Sequence, residues 1–158
     1  MQKLTYEEAR EWFWVRTAAW CVPAAIVSVI ASFAYYGQLI DRFEPRFLYA
    51  LAAGVGATLL GLAAASLSIQ IPWMRSGWKW SWLPNTIICA VAGSLMAALI
   101  CSVIISVMKD NIYNPPPEDV QAAAYNMMLF AICLSAGWGA VLGAWFGLRF
   151  DKYFVESI

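Results

Sequence analysis

The chain has 158 residues, 62% of them hydrophobic and only 13% charged, with ten basic residues, ten acidic residues and no histidine. A soluble domain is about a quarter charged, so this composition excludes an ordinary water-facing globular surface. The zero net charge argues against a nucleic-acid partner, and the lack of histidine excludes histidine-ligated haem, histidine zinc sites and Ser-His-Asp catalysis.

Four stretches, 17–40, 47–74, 80–108 and 120–148, contain no charged residue. Each exceeds the roughly 20 residues a helix needs to cross about 30 Å of hydrocarbon. Core helices of soluble proteins keep one polar face, and these have none. The expectation is an all-α, polytopic integral membrane protein: a four-transmembrane-helix bundle with short loops, forming one membrane domain over 1–158.

The chain opens with LTYEEAREWFWVR at 4–16. Thr5 and Glu8 have capping-box spacing, with Leu4 and Ala9 placed as a staple. In a helix Tyr6, Ala9 and Phe13 share one face and Glu7 and Glu11 the other. Residues 1–16 therefore read as an N-terminal interfacial helix; a plain extension of the first span is the alternative. Three cations and three acids precede the first apolar stretch, which is longer than a signal-peptide core, so it reads as a retained span.

Span one covers about 17–36 and carries Pro23, which neighbouring helices can accommodate. Span two, about 47–69, is entered through Pro45. Span three, about 85–108, has Pro84 at its first turn. The run NPPPEDV then forbids a helix through 115–117, and Glu118 and Asp119 complement the N-terminus of span four, about 120–148.

Lys3, Arg10, Arg16, Arg75, Lys79, Arg149 and Lys152 lie on one side of this layout, and Arg42, Arg46 and Lys109 on the other. The positive-inside rule then places both termini and the second loop in the cytoplasm. A bacterial inner (plasma) membrane is the expected location. The second loop holds WMRSGWKWSWLPN, with Trp73, Trp78, Trp80 and Trp82 interleaved with Arg75 and Lys79. Tryptophan favours the headgroup level. Together with Trp12, Trp14, Trp20 and Trp145, these residues read as interface anchors; a cation cage or a base-stacking platform is the alternative.

Small residues form stripes. Span two has Ala50, Gly54, Ala57, Gly61, Ala64 and Ser68 in alternating steps of four and three. Span three has Ala90, Ser94, Ala98, Ser102 and Ser106 in steps of four, and span four has Gly139, Gly143 and Gly147 as a tandem GxxxG. Such stripes let helix backbones approach closely in lipid. They serve either packing within the bundle or an oligomer interface. Opposite the span-four stripe stand the bulky Met127, Leu134, Trp138, Val141 and Trp145.

No acid or base falls inside a span, which argues against proton-coupled transport. Cys21, Cys89, Cys101 and Cys133 form no CxxC pair and read as small apolar packers, although Cys21 and Cys89 share a depth at which they could touch. Asn126 reads as an interhelical hydrogen bond or a polar pore contact. Thr58, Ser66 and Ser68 can bond to their own helix carbonyls. Asp41/Glu44 and Glu118/Asp119 read as solvated loop acids rather than metal ligands.

No catalytic residue, metal ligand or cofactor site is expected. The leading reading is a non-catalytic membrane module, either a homo-oligomer or a small subunit of a larger membrane complex, with lipids and other membrane proteins as partners. The runner-up is a small oligomeric channel or passive transporter. The third is a membrane enzyme acting on a lipid or apolar substrate, for which Arg16, Arg75, Lys79 and Arg149 would be cationic candidates without an obvious nucleophile.

Overall fold

The computed structural model of the chain describes residues 6–71, 82–109 and 118–153, all in helices apart from the first connection and one bend. The helices are α1 (Tyr6–Tyr36), α2 (Phe43–Gln70), α3 (Trp82–Lys109) and α4 (Glu118–Tyr153). Within them Arg10–Tyr36, Phe43–Ser68, Trp82–Val107 and Val120–Leu148 are long and apolar enough to cross a membrane. Even the shortest, at 26 residues, extends about 39 Å at 1.5 Å per residue, against roughly 30 Å of hydrocarbon. α1 runs unbroken from Tyr6 through Thr17 into the first span. Trp73, Arg75, Trp78, Lys79 and Trp80 lie outside the described residues.

The helices alternate in direction. Gly54 of α2 faces Val29 of α1, while Arg46, earlier in α2, reaches Phe33, later in α1. On the other side Gly139, Gly143 and Gly147 of α4 face Cys89, Asn85 and Trp82 of α3 in descending order. α2 and α4 therefore run parallel, and they touch: Gly61 abuts Trp138, and Ala65 packs with Leu142 and Phe146. α1 and α3 stand at opposite corners of this diagonal and meet only marginally. Phe13 packs on Phe146 at 4.4 Å between ring centres, so both ends of the described chain lie at the same end of the bundle.

The distribution of side chains is inverted relative to a soluble bundle. Thr17, Ser28, Ser32, Thr58, Ser68, Asn85 and Ser135 are buried, whereas Val22, Ile30, Leu59, Leu95, Leu99, Val103 and Val141 are exposed. In water large aliphatic groups drive burial. In lipid the tails are as apolar as leucine, so small and hydroxyl side chains take the helix contacts and aliphatic ones face outward.

Aromatic rings gather at both ends. Phe13, Trp12, Trp145 and Phe146 cluster beside the termini, where Trp12 stacks on Trp145 at 6.2 Å. At the opposite end Tyr35 stacks on Phe130 at 4.4 Å, and Phe43 lies between Phe33 and Phe47. The α1–α2 turn there is closed by Gln38 N–H to Tyr35 O and Ile40 N–H to Tyr36 O. Arg46 caps α1 by donating its Nε–H to Phe33 O at 2.8 Å, with its guanidinium 3.9 Å from the Phe33 ring centre. A cation at the C-terminal turn of a helix meets both the last carbonyls and the negative end of the dipole. Gly37 gives that guanidinium room, since a Cβ at residue 37 would collide with it.

Candidate functional site

Two regions carry the polar and small residues from which a site could be built: the seam where α4 and α2 meet α1, and the outer face of α3.

In the seam, Trp138 Nε1–H of α4 donates to Ser28 Oγ of α1 at 2.6 Å. Thr58 of α2 presents its hydroxyl to the same Ser28 Oγ at 3.1 Å and to its own helix at Gly54 O, 2.8 Å away. Ser28 thus ties three helices together at one oxygen. One turn further along α1, Ser32 is fully buried and its Oγ has no hydrogen-bond partner among the described residues. Another turn on, Tyr36 is 1% exposed and donates its O–H to Met127 O of α4 at 3.0 Å. Thr17, nearer the termini, bonds back to Phe13 O. Thr17, Ser28, Ser32 and Tyr36 form a column because each is separated from the next by a whole number of helical turns or close to one.

On the α3–α4 side the glycines permit direct backbone approach. A methyl at Gly143 would stand 2.6 Å from Asn85 O, and one at Gly147 2.5 Å from the Trp82 Cα; one at Gly139 would overlap Cys89 O. Ser135 Oγ donates to Gly93 O at 2.9 Å, and Ser68 Oγ lies 3.4 Å from Cys89 Sγ. Cys89 therefore faces α2 and α4, not Cys21, whose helix stands at the far corner. The four cysteines are free thiols.

The small-residue positions fall into two groups. Ala50, Gly54, Ala57, Gly61, Ala64 and Ser68 on α2, and Gly139, Gly143 and Gly147 on α4, are all buried against other helices of the same chain. On α3 the buried line is Asn85, Cys89, Gly93 and Ala97, one residue away from the expected line. Ala90, Ser94 and Ala98 are only half-buried, and Ser102 and Ser106 are exposed. Ser94, Ser102 and Ser106 turn their hydroxyls onto their own helix, at Val91 O, Leu99 O and Ser102 O. The choice of line within the chain has a physical cause: either four-step line is small enough to pack, and Gly93 admits the Ser135 carbonyl, 2.8 Å from where its Cβ would be.

Asn126 is exposed on α4. Asn85, the amide at the heart of the α3–α4 contact, escaped the sequence reading because it adjoins Pro84 at the expected boundary of span three. Trp138 was grouped with the bulky side of span four; it instead reaches into the seam. Among the anchors, Trp14 and Trp20 are exposed, Trp82 is at the margin of exposure, and Trp12 and Trp145 are half-buried in their mutual stack. Arg16 is exposed 5.9 Å from the Trp12 ring centre. Asp41, Glu44 and Glu118 are exposed, and the described residues bring no three His, Cys, Asp or Glu together as a metal site.

Compared with protein-family models, with curated proteins and with solved structures, the chain matches none. The four apolar helices and the aromatic clusters at both ends are consistent with a multi-pass membrane protein.

Proposed function

We propose that the protein is a non-catalytic integral membrane module that works by association, as a homo-oligomer or as a small subunit of a larger membrane complex. The observation that carries this reading is the outer face of α3. The stripes of α2 and α4 are consumed in packing the chain on itself, whereas Ala90, Ser94, Ala98 and Ser102 remain at or near the surface. Their serines are satisfied within α3, so this line offers small side chains to an approaching helix, flanked by the exposed Val91, Leu95 and Leu99. Close approach of this kind is what joins helices in lipid.

The same reading sets both termini in the cytoplasm, in a bacterial inner (plasma) membrane with lipids as the surrounding partners. Arg46 is one of three cations on the outer side in this scheme. Its local role in capping α1 supports discounting it as a topology signal.

The test is gentle extraction from native membranes followed by mass determination in native conditions. An assembly of two or more copies, or a stoichiometric membrane partner, is the expected result; a lone monodisperse monomer would defeat the reading. A passive channel is the second reading. Because Asn126, Ser102 and Ser106 point away from the chain's own interior, its path would run between copies. Solute flux in liposomes no greater than in empty ones would remove it.

A further inference from the structure

The described serines and threonines follow a rule with one exception. Thr17, Thr58, Ser66, Thr86, Ser94, Ser102 and Ser106 each bond to a carbonyl of their own helix. Ser28, Ser68 and Ser135 bond across to another helix. Ser32 does neither: it is fully buried, and its Oγ meets no partner among the described residues. A hydroxyl surrounded by hydrocarbon has no bulk water to fall back on, and buried polar groups of folded proteins are satisfied by protein or by ordered water.

Its neighbour one turn back has the complementary shortfall. Ser28 Oγ accepts from Trp138 Nε1–H. Thr58 commits its one proton to Gly54 O, so across their 3.1 Å contact the Ser28 hydroxyl donates to Thr58, and one Ser28 lone pair stays open. Two hydroxyls four residues apart on one helix face are separated by about 6 Å along the axis. Side chains so spaced stand roughly 5–6 Å apart at Cβ, and hydroxyls leaning toward each other reach the about 4.5 Å that two hydrogen bonds of about 2.8 Å span at one bent oxygen.

We propose that one water molecule is bound in the seam between Ser28 and Ser32, accepting from Ser32 Oγ–H and donating to Ser28 Oγ. The spacing selects for size: a single oxygen bridges the two hydroxyls. The site completes a line of hydrogen bonds from the Trp138 indole through Ser28 to Ser32, at the place where α1, α2 and α4 converge.

The experiment compares infrared spectra of wild-type protein and of S32V, each prepared in H2(16)O and in H2(18)O. The heavy isotope shifts O–H stretching of water and leaves serine hydroxyls unmoved, so it separates the ligand from the side chains. The expected result is an isotope-sensitive O–H band present in the wild type and lost in S32V, whose second methyl occupies the water's place. S66A, which alters an exposed own-helix serine, keeps the band. If S32V does not fold, S32A removes one of the two ligands and serves in the same comparison, with the band shifted or lost. An isotope-sensitive spectrum identical in wild type and Ser32 variants overturns the proposal.

Discussion

Trp138 and Ser28 lie 110 positions apart in sequence and share a 2.6 Å hydrogen bond at the point where three helices meet. The indole fills the gap that α1 and α4, which touch through few backbone positions, leave between them. Polar bonds of this kind between membrane helices contribute about 0.6 kcal/mol on average and up to about 1.7 kcal/mol. W138F keeps the ring and removes the donor. It is expected to destabilise the bundle by roughly 1 kcal/mol, and S28A by a similar amount because Thr58 also loses a partner. Thermal unfolding in detergent of the two single variants and the double variant checks this: losses that simply add would show that the pair is not coupled.

The glycines of α4 separate into those that matter and one that does not. G139A places a methyl against the Cys89 carbonyl, and G143A one 2.6 Å from Asn85 O. Each should cost on the order of 1–3 kcal/mol as the α3–α4 contact opens. G137A and G56A meet nothing within 4 Å and should be neutral or stabilising by up to about 1 kcal/mol, the helix preference of alanine over glycine. Melting temperatures of the four variants measured side by side would decide it; a G139A protein as stable as G137A contradicts the packing.

Arg46 holds the α1–α2 turn through Phe33 O and the Phe33 ring. R46K keeps the charge but not the planar donor, and R46A keeps neither. The expected order of stability is wild type, then R46K, then R46A, with a total loss of roughly 1–2 kcal/mol. Protease cleavage within 37–42 should accelerate in the same order. Equal cleavage rates in all three would show that the cap contributes nothing.

The outer face of α3 can be blocked without touching the interior. A98L and S102L add bulk to half-buried and exposed positions, while A97L adds it to a buried one. If α3 mediates association, A98L and S102L lower the assembled mass and leave the melting temperature of the monomer near that of the wild type; A97L lowers stability instead. Unchanged mass in both outward variants would move the interface elsewhere.

Span number and length were legible because a helix needs a fixed run of apolar residues to cross hydrocarbon, and charge-free runs mark it directly. The stripes on α2 and α4 were legible for a similar reason, since glycines repeated at 54 and 61, or at 139, 143 and 147, leave one face smaller than the rest. The line on α3 was not. Positions 85, 89, 93 and 97 and positions 90, 94, 98 and 102 are both small at a four-residue step, and the choice rests on what α4 presents to them: the Ser135 carbonyl at Gly93 and the bare backbone of Gly139 at the Cys89 carbonyl. Periodicity along one helix carries no record of its neighbour. Trp138 was obscured differently, since eight other tryptophans lie near expected membrane surfaces and its mid-span donor needs a partner, Ser28, from the opposite end of the sequence.

The diagonal contact between α2 and α4 has a consequence for how the chain is put together. α1 is held chiefly by α2, and α3 chiefly by α4, so each sequential pair is a helical hairpin whose own closing contacts, Arg46 on Phe33 or Gly139 on Cys89, are internal to it. Hairpins of this kind can enter a bilayer one after the other, and the bundle then forms by joining two ready-made halves along Gly61, Ala65, Trp138 and Leu142. The protein is built like a heterodimer whose two subunits happen to share a polypeptide, and a chain cut between 71 and 82 should still find its other half.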